Sequence, residues 1–147
     1  MALKNSVGLV AKHVPGESHN YMTELHASRD QRAMIAEINV AYSPALIVLD
    51  GLEAFVSRGP AKGKLVEPHV FLAGTDRVAI DAVGVAILRH FGTTKAVTEG
   101  PVFGQAQIAR AVDLGLGIGG PDEIEFVTDD PESAAFAATI KEILDQG

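Results

Sequence analysis

Two short apolar runs in the middle of the chain each stop on a turn, and the second leads into a run that is apolar on nearly every side. Residues 45–49 read ALIVL between Pro44 and Asp50-Gly51, which is the pattern of a buried strand ending in a turn. Residues 70–73 read VFLA and end at Gly74-Thr75-Asp76. Residues 77–91 then carry Val78, Ile80, Val83, Val85, Ile87 and Leu88 with no polar face, so the spacing predicts a buried helix closed by Gly92. A third strand is expected at 124–127 and a closing helix at 132–144. Strands separated by helices or long loops favour parallel crossovers, so the expected fold is a single α/β domain over 1–147. It is a layered sheet with largely parallel strands, flanking helices and the buried helix 77–91 at its centre.

The flanking segments are read more coarsely. Residues 1–10 fit either a short helix or a strand, and 13–26, with Pro15-Gly16 and three histidines, read as a loop. Ser28, with Gln31 three residues on, reads as the cap of a helix whose apolar face is Met34, Ile35, Ile38 and Tyr42, stopped by Pro44. Residues 52–56 alternate as a short exposed strand, and 57–68 form a loop carrying Gly59, Pro60, Gly63 and Pro68. Residues 102–114 read as an amphipathic helix. The run GLGIGG at 115–120 follows a helix and precedes a strand, the reverse of what a dinucleotide fingerprint needs, so it is a connection.

Composition removes several classes of function. A net charge of −7 and a pI near 5.1 speak against nucleic acid and anionic membrane surfaces, which reward basic patches. With no cysteine, this chain ligates no iron–sulfur cluster and forms no disulfide, which fits a cytoplasmic location. With 47% hydrophobic residues the chain has the material for a core.

The chemistry-bearing residues gather around the expected strand ends. Asp50 is either a turn-forming residue before Gly51 or a ligand contact, and Asp76 is either a helix cap or a site residue. Asp81 lies one turn into an apolar helix, where an unpaired carboxylate costs several kcal/mol. It needs Lys4, Arg58, Lys62, backbone N–H groups, or a bound cation or substrate. Two parallel neighbouring strands would bring Asp50 and Asp81 together. With the imidazole of His26, these acidic oxygens suit a hard divalent cation or an acid/base pair.

The start LKN with Gly8, the tyrosine–histidine loop, LDGLEAF, the Gly-Pro-x-x-Gly loop at 59–63 and LAGTDRVAIDAVG at 72–84 together resemble the C-terminal half of the family called domain of unknown function 362. The likeness runs from about Leu3 to Val127, and its most specific part is the Gly-x-Asp-x-Val-Ala-x-Asp-Ala element. Arg77 stands where that family often has proline, and Ser57-Arg58-Gly59-Pro60 departs from its usual Gly-Asn-Gly-Pro. The resemblance implies an α/β fold, a cytoplasmic protein and a tie to redox or metal metabolism, and it supplies no reaction. It adds Lys4, Asn5 and Gly59 to the ligand-binding candidates His26, Asp50, Asp76 and Asp81, with Asp50, Asp81 and His26 as the metal set. Because the family pattern usually continues a longer N-terminal half, the expected partner is that half on another chain, or a second copy in a homodimer. Two functions follow: a domain binding a small molecule or divalent metal near Asp50 and Asp81, or a non-catalytic module that packs on a missing half.

Overall fold

A computed structural model describes residues 1–59 and 62–147. The chain opens with the short helix α1 (Ala2–Asn5) and a 3-10 turn at Ser6–Leu9. Next come α2 (Tyr21–Ala27) and α3 (Gln31–Ile38), the latter running into a 3-10 turn at Asn39–Ala41. Four strands follow: β1 (Ile47–Gly51), β2 (Ala54–Phe55), β3 (Leu65–Val66) and β4 (Val70–Gly74). Four α-helices come after them: α4 (Arg77–His90), α5 (Lys95–Thr98), α6 (Ala106–Asp113) and α7 (Pro131–Gln146).

The layered parallel sheet is not what forms. The chain is 51% helical, and among the described residues the strands make two antiparallel pairs, β1 with β4 and β2 with β3. The reason lies in the connection. A parallel crossover usually carries a helix back to the start of the sheet. Residues 52–69 instead hold the small β2–β3 pair, so the chain returns along β1 in the opposite direction, with Ile47 opposite Gly74 and Gly51 opposite Val70. Residues 124–127 are not a strand either: they pair with nothing, and Val127 is 86% exposed.

Two helical expectations also change. The stretch read as a loop contains α2, capped by Asn20, whose side chain accepts from the Thr23 N–H at 3.0 Å. Ser28 accordingly ends α2, and its Oγ accepts from the Asp30 N–H, so it does not cap α3. Polar residues spread around α2 hide its period, and only Leu25 is fully buried.

The central helix is as the apolar run requires. From Arg77 to Ile87 all but Ala79 are buried, and Val78, Ala82, Val83, Ala86 and Ile87 join Leu3, Leu25, Ile35, Val102, Ile108, Ile140 and Leu144 in one core. Gly92, at φ +77°, ends the helix by donating to Arg89 O. The β1–β4 pair packs on α4 through one face only: Ile80 lies beneath Gly74, and Gly84 lies beneath Leu49. Its other face, with Val48, Asp50, Phe71 and Ala73, is exposed.

Candidate functional site

Strand alternation decides where the acidic candidates go. Asp50 falls on the outer face of β1, directly opposite Phe71, whereas Asp81 is buried in α4 beneath the inner face. The sheet therefore stands between two carboxylates that were expected to meet. Asp50 Oδ1 accepts from the Leu52 N–H at 3.0 Å, which is the turn geometry of an aspartate before glycine. His26 lies elsewhere again, exposed on α2, with Nδ1 2.8 Å from Met22 O. Among the described residues no three His, Asp or Glu side chains gather as a metal site would need.

Asp76 is the cap of α4. Its Oδ1 accepts from the Val78 and Ala79 N–H groups, both at 2.8 Å, and its Oδ2 accepts from the Ile118 N–H at 2.9 Å. One carboxylate thus holds a helix start and the glycine-rich 115–120 connection together. Lys4 is exposed, and so is Gly59, which sits against the Phe55 side chain. Asn5 is exposed and borders a cavity along β1.

Asp81 is 3% exposed and touches neither Lys4, Arg58 nor Lys62 in an ion pair. Its Oδ2 accepts from Gln107 Nε2 on α6 at 3.3 Å, while Asp81 Oδ1 and Gln107 Oε1 are buried without a hydrogen bond. Burial pushes its pKa up; the Met1 α-amino group, the Ala2 and Leu3 N–H groups and the Gln107 amide pull it down, and burial wins. A protonated carboxyl facing a carboxamide suits this place, since its O–H would give Gln107 Oε1 the donor it lacks.

The most connected polar cluster was not among the candidates. Asn39, fully buried, donates through Nδ2 to Leu3 O (2.9 Å) and Ile35 O (2.8 Å). Its Oδ1 accepts from Ser6 Oγ at 2.8 Å and from Arg77 Nη1 at 3.2 Å. Arg77 Nη1 also donates to Asn39 O (2.8 Å), Nη2 donates to Tyr42 O (2.7 Å), and the guanidinium lies 5.1 Å from the centre of the Tyr42 ring. The Tyr42 hydroxyl sits 2.7 Å from Ser6 Oγ. This network ties together α1, the end of α3 and the first turn of α4. One signal pointed to it: Asn39 stands four residues after Ile35, on an apolar helix face where an amide must find partners.

Three openings in the surface border these groups. A cavity of about 390 Å³ runs along the free edge of β1 between Met1, Asn5, Leu46, Asp50 and Arg77. A slot of about 260 Å³ lies on the other side of the sheet, between β4 and residues 124–128, floored by Val83, Ile87, Phe136 and Ile140. A shallow hollow on α2 holds His26. No described cavity is lined by both Asp50 and Asp81.

In comparison with known protein families, residues 1–86 fit the family model described as Domain of unknown function (DUF362). The match ends within α4 and does not extend to Val127 as the motif likeness suggested. No curated protein and no solved structure matches the chain.

Proposed function

The chain belongs to the domain of unknown function 362 family, and we propose that it serves as a packing module whose two-stranded sheet is completed by a strand from another polypeptide. The observation that carries this reading is the slot beside β4. One wall is a strand whose outer edge takes no partner among the described residues, the other is the 124–128 segment, which has no regular secondary structure, and the floor is apolar. A strand laid between them would find backbone donors and acceptors on the β4 side and bury its alternate side chains on α4 and α7. The outer face supports the same reading. Leu46 (62% exposed), Val48 (61%) and Phe71 (63%) place apolar surface where a lone two-stranded sheet has nothing to cover it.

The occupant that fits is a strand-bearing polypeptide such as the N-terminal half that the longer family pattern carries. The dispersal of Asp50, Asp81 and His26 favours this module over a divalent-metal centre. Co-expression with the N-terminal half of a longer family member tests it. A stable 1:1 complex in which the β4 amides gain protection from hydrogen exchange is expected. Co-purification failing, with β4 exchange unchanged, would overturn the reading, and protection arising from a second copy of this chain would replace the partner.

A further inference from the structure

We propose that the cavity along the free edge of β1 is a binding site for a small molecule carrying one carboxylate or phosphate group, with Arg77 as the anchor. It lies on the opposite edge of the sheet from the β4 slot, so it stands or falls separately from the packing role.

Arg77 carries a charge that no opposite charge meets among the described residues. Arg77 is 6% exposed, which places a guanidinium cation out of water. Burying such a charge is costly unless an opposite charge or a full set of hydrogen bonds offsets it. No carboxylate among the described residues pairs with it; its acceptors are the neutral oxygens Asn39 O, Asn39 Oδ1 and Tyr42 O. These occupy three of its five N–H groups, and among the described residues Nε and one hydrogen of Nη2 have no acceptor. The bonds that are made also fix the fork in place. Bonded to two backbone carbonyls and stacked on Tyr42, the guanidinium is pre-organised in the way that planar two-point recognition of carboxylate or phosphate needs. In a chain of net charge −7, a buried and uncompensated cation on a cavity wall is not a by-product of surface composition.

The cavity itself fits a small ligand. Its roughly 390 Å³ falls within the usual range of small-molecule sites, and its wall adds the Asn5 amide to apolar surface from Leu46 and Val48. It is also polarised along its length. Arg77 and Asp50 both line it, and along β1 Asp50 lies three residues, about 10 Å, beyond Ile47, the partner of Gly74. A ligand with one anionic end directed at Arg77 and a neutral or cationic end near Asp50 is favoured; one with an anionic group at both ends meets repulsion.

Titration of the ¹⁵N-labelled chain with butyrate, inorganic phosphate and glutarate tests this by NMR. Saturable shifts of the Arg77 Nε–H and Asn5 side-chain signals are expected with butyrate or phosphate, which tells the two anionic groups apart, and weaker binding with glutarate. Arg77→Gln should abolish the response. Because Arg77 also holds the Asn39 network, that variant puts the fold itself at stake, so Asn5→Asp is the second arm: Asn5 is exposed, and a carboxylate there should weaken anion binding roughly tenfold while leaving the fold intact. No saturable shift with either monoanion, or shifts of equal size and midpoint in Asn5→Asp, would overturn the proposal.

Discussion

The helical side of the molecule and its sheet are built from similarly apolar sequence, yet they end in opposite states. Helix α4 is apolar around its circumference and meets α1, α6, α7 and the sheet, so nearly every side chain from Val78 to Ile87 is removed from water. The β1–β4 pair is apolar on both faces and meets α4 on only one, leaving Val48 and Phe71 exposed. An apolar run fixes how much surface asks to be buried; what the chain returns to cover it decides how much is. In this chain the helices have their partners and the sheet has half of its own.

That contrast can be broken by substitution, beginning where the effect is greatest. Ile35→Ala, at a core position that is 1% exposed, should lower the unfolding free energy by about 2–5 kcal/mol in urea denaturation. Asn39→Ala should follow, since the carbonyls and guanidinium it serves are left buried at roughly 1–3 kcal/mol for an orphaned group; calorimetry of the variant checks this. Asp76→Ala removes the cap of α4 and should cost about 1–2 kcal/mol, with faster hydrogen exchange at Ile118 as its signature.

The Asp81 prediction has the opposite sign. A carboxyl whose folded pKa is raised binds more protons folded than unfolded, so its contribution is fully present below the ordinary value of 3.8 and is lost as pH rises through the folded value. Asp81→Asn removes that loss and also offers an N–H to Gln107 Oε1. Its gain in melting temperature should be small near pH 4 and larger near pH 8; an equal difference at both would mean the carboxylate ionises there without penalty. The smallest effect belongs to the sheet's outer face. Val48→Lys should change stability by less than about 0.5 kcal/mol while reducing any self-association seen in sedimentation, which sharpens the contrast with Ile35.

What could be read from the sequence follows the same division. The extent of α4 was legible because burial on all sides leaves an unbroken apolar run, and the closing helix expected at 132–144 forms as Pro131–Gln146, capped by Asp130. Strand direction was not legible, because a run of five apolar residues looks alike in a parallel and an antiparallel pair. The decision rested on residues 52–69, whose turns form a small strand pair and no helix. The same pairing decides the site: antiparallel pairing and period-two alternation set Asp50 outward, away from Asp81. Arg77 and Asn39 stand at the ends of helices, where solvent is the default expectation for a polar residue, and for Asn39 only its spacing from Ile35 spoke against it. Only the folded chain shows that Leu3, Ser6 and Tyr42 close over them.

The Asp76 carboxylate reaches Ile118 because of what is missing at residue 117. A Cβ built on Gly117 would overlap Asp76 Oδ1, so any larger residue there would have to move either the connection or the capping side chain. The two positions lie 41 residues apart in sequence and behave as one unit of inheritance. A change at 117 is tolerable only with a change at 76, and a chain that drops the aspartate relaxes the demand for glycine. Among related sequences, Asp76 and Gly117 should be gained and lost together, a correlation that alignment alone could read without any knowledge of what the protein binds.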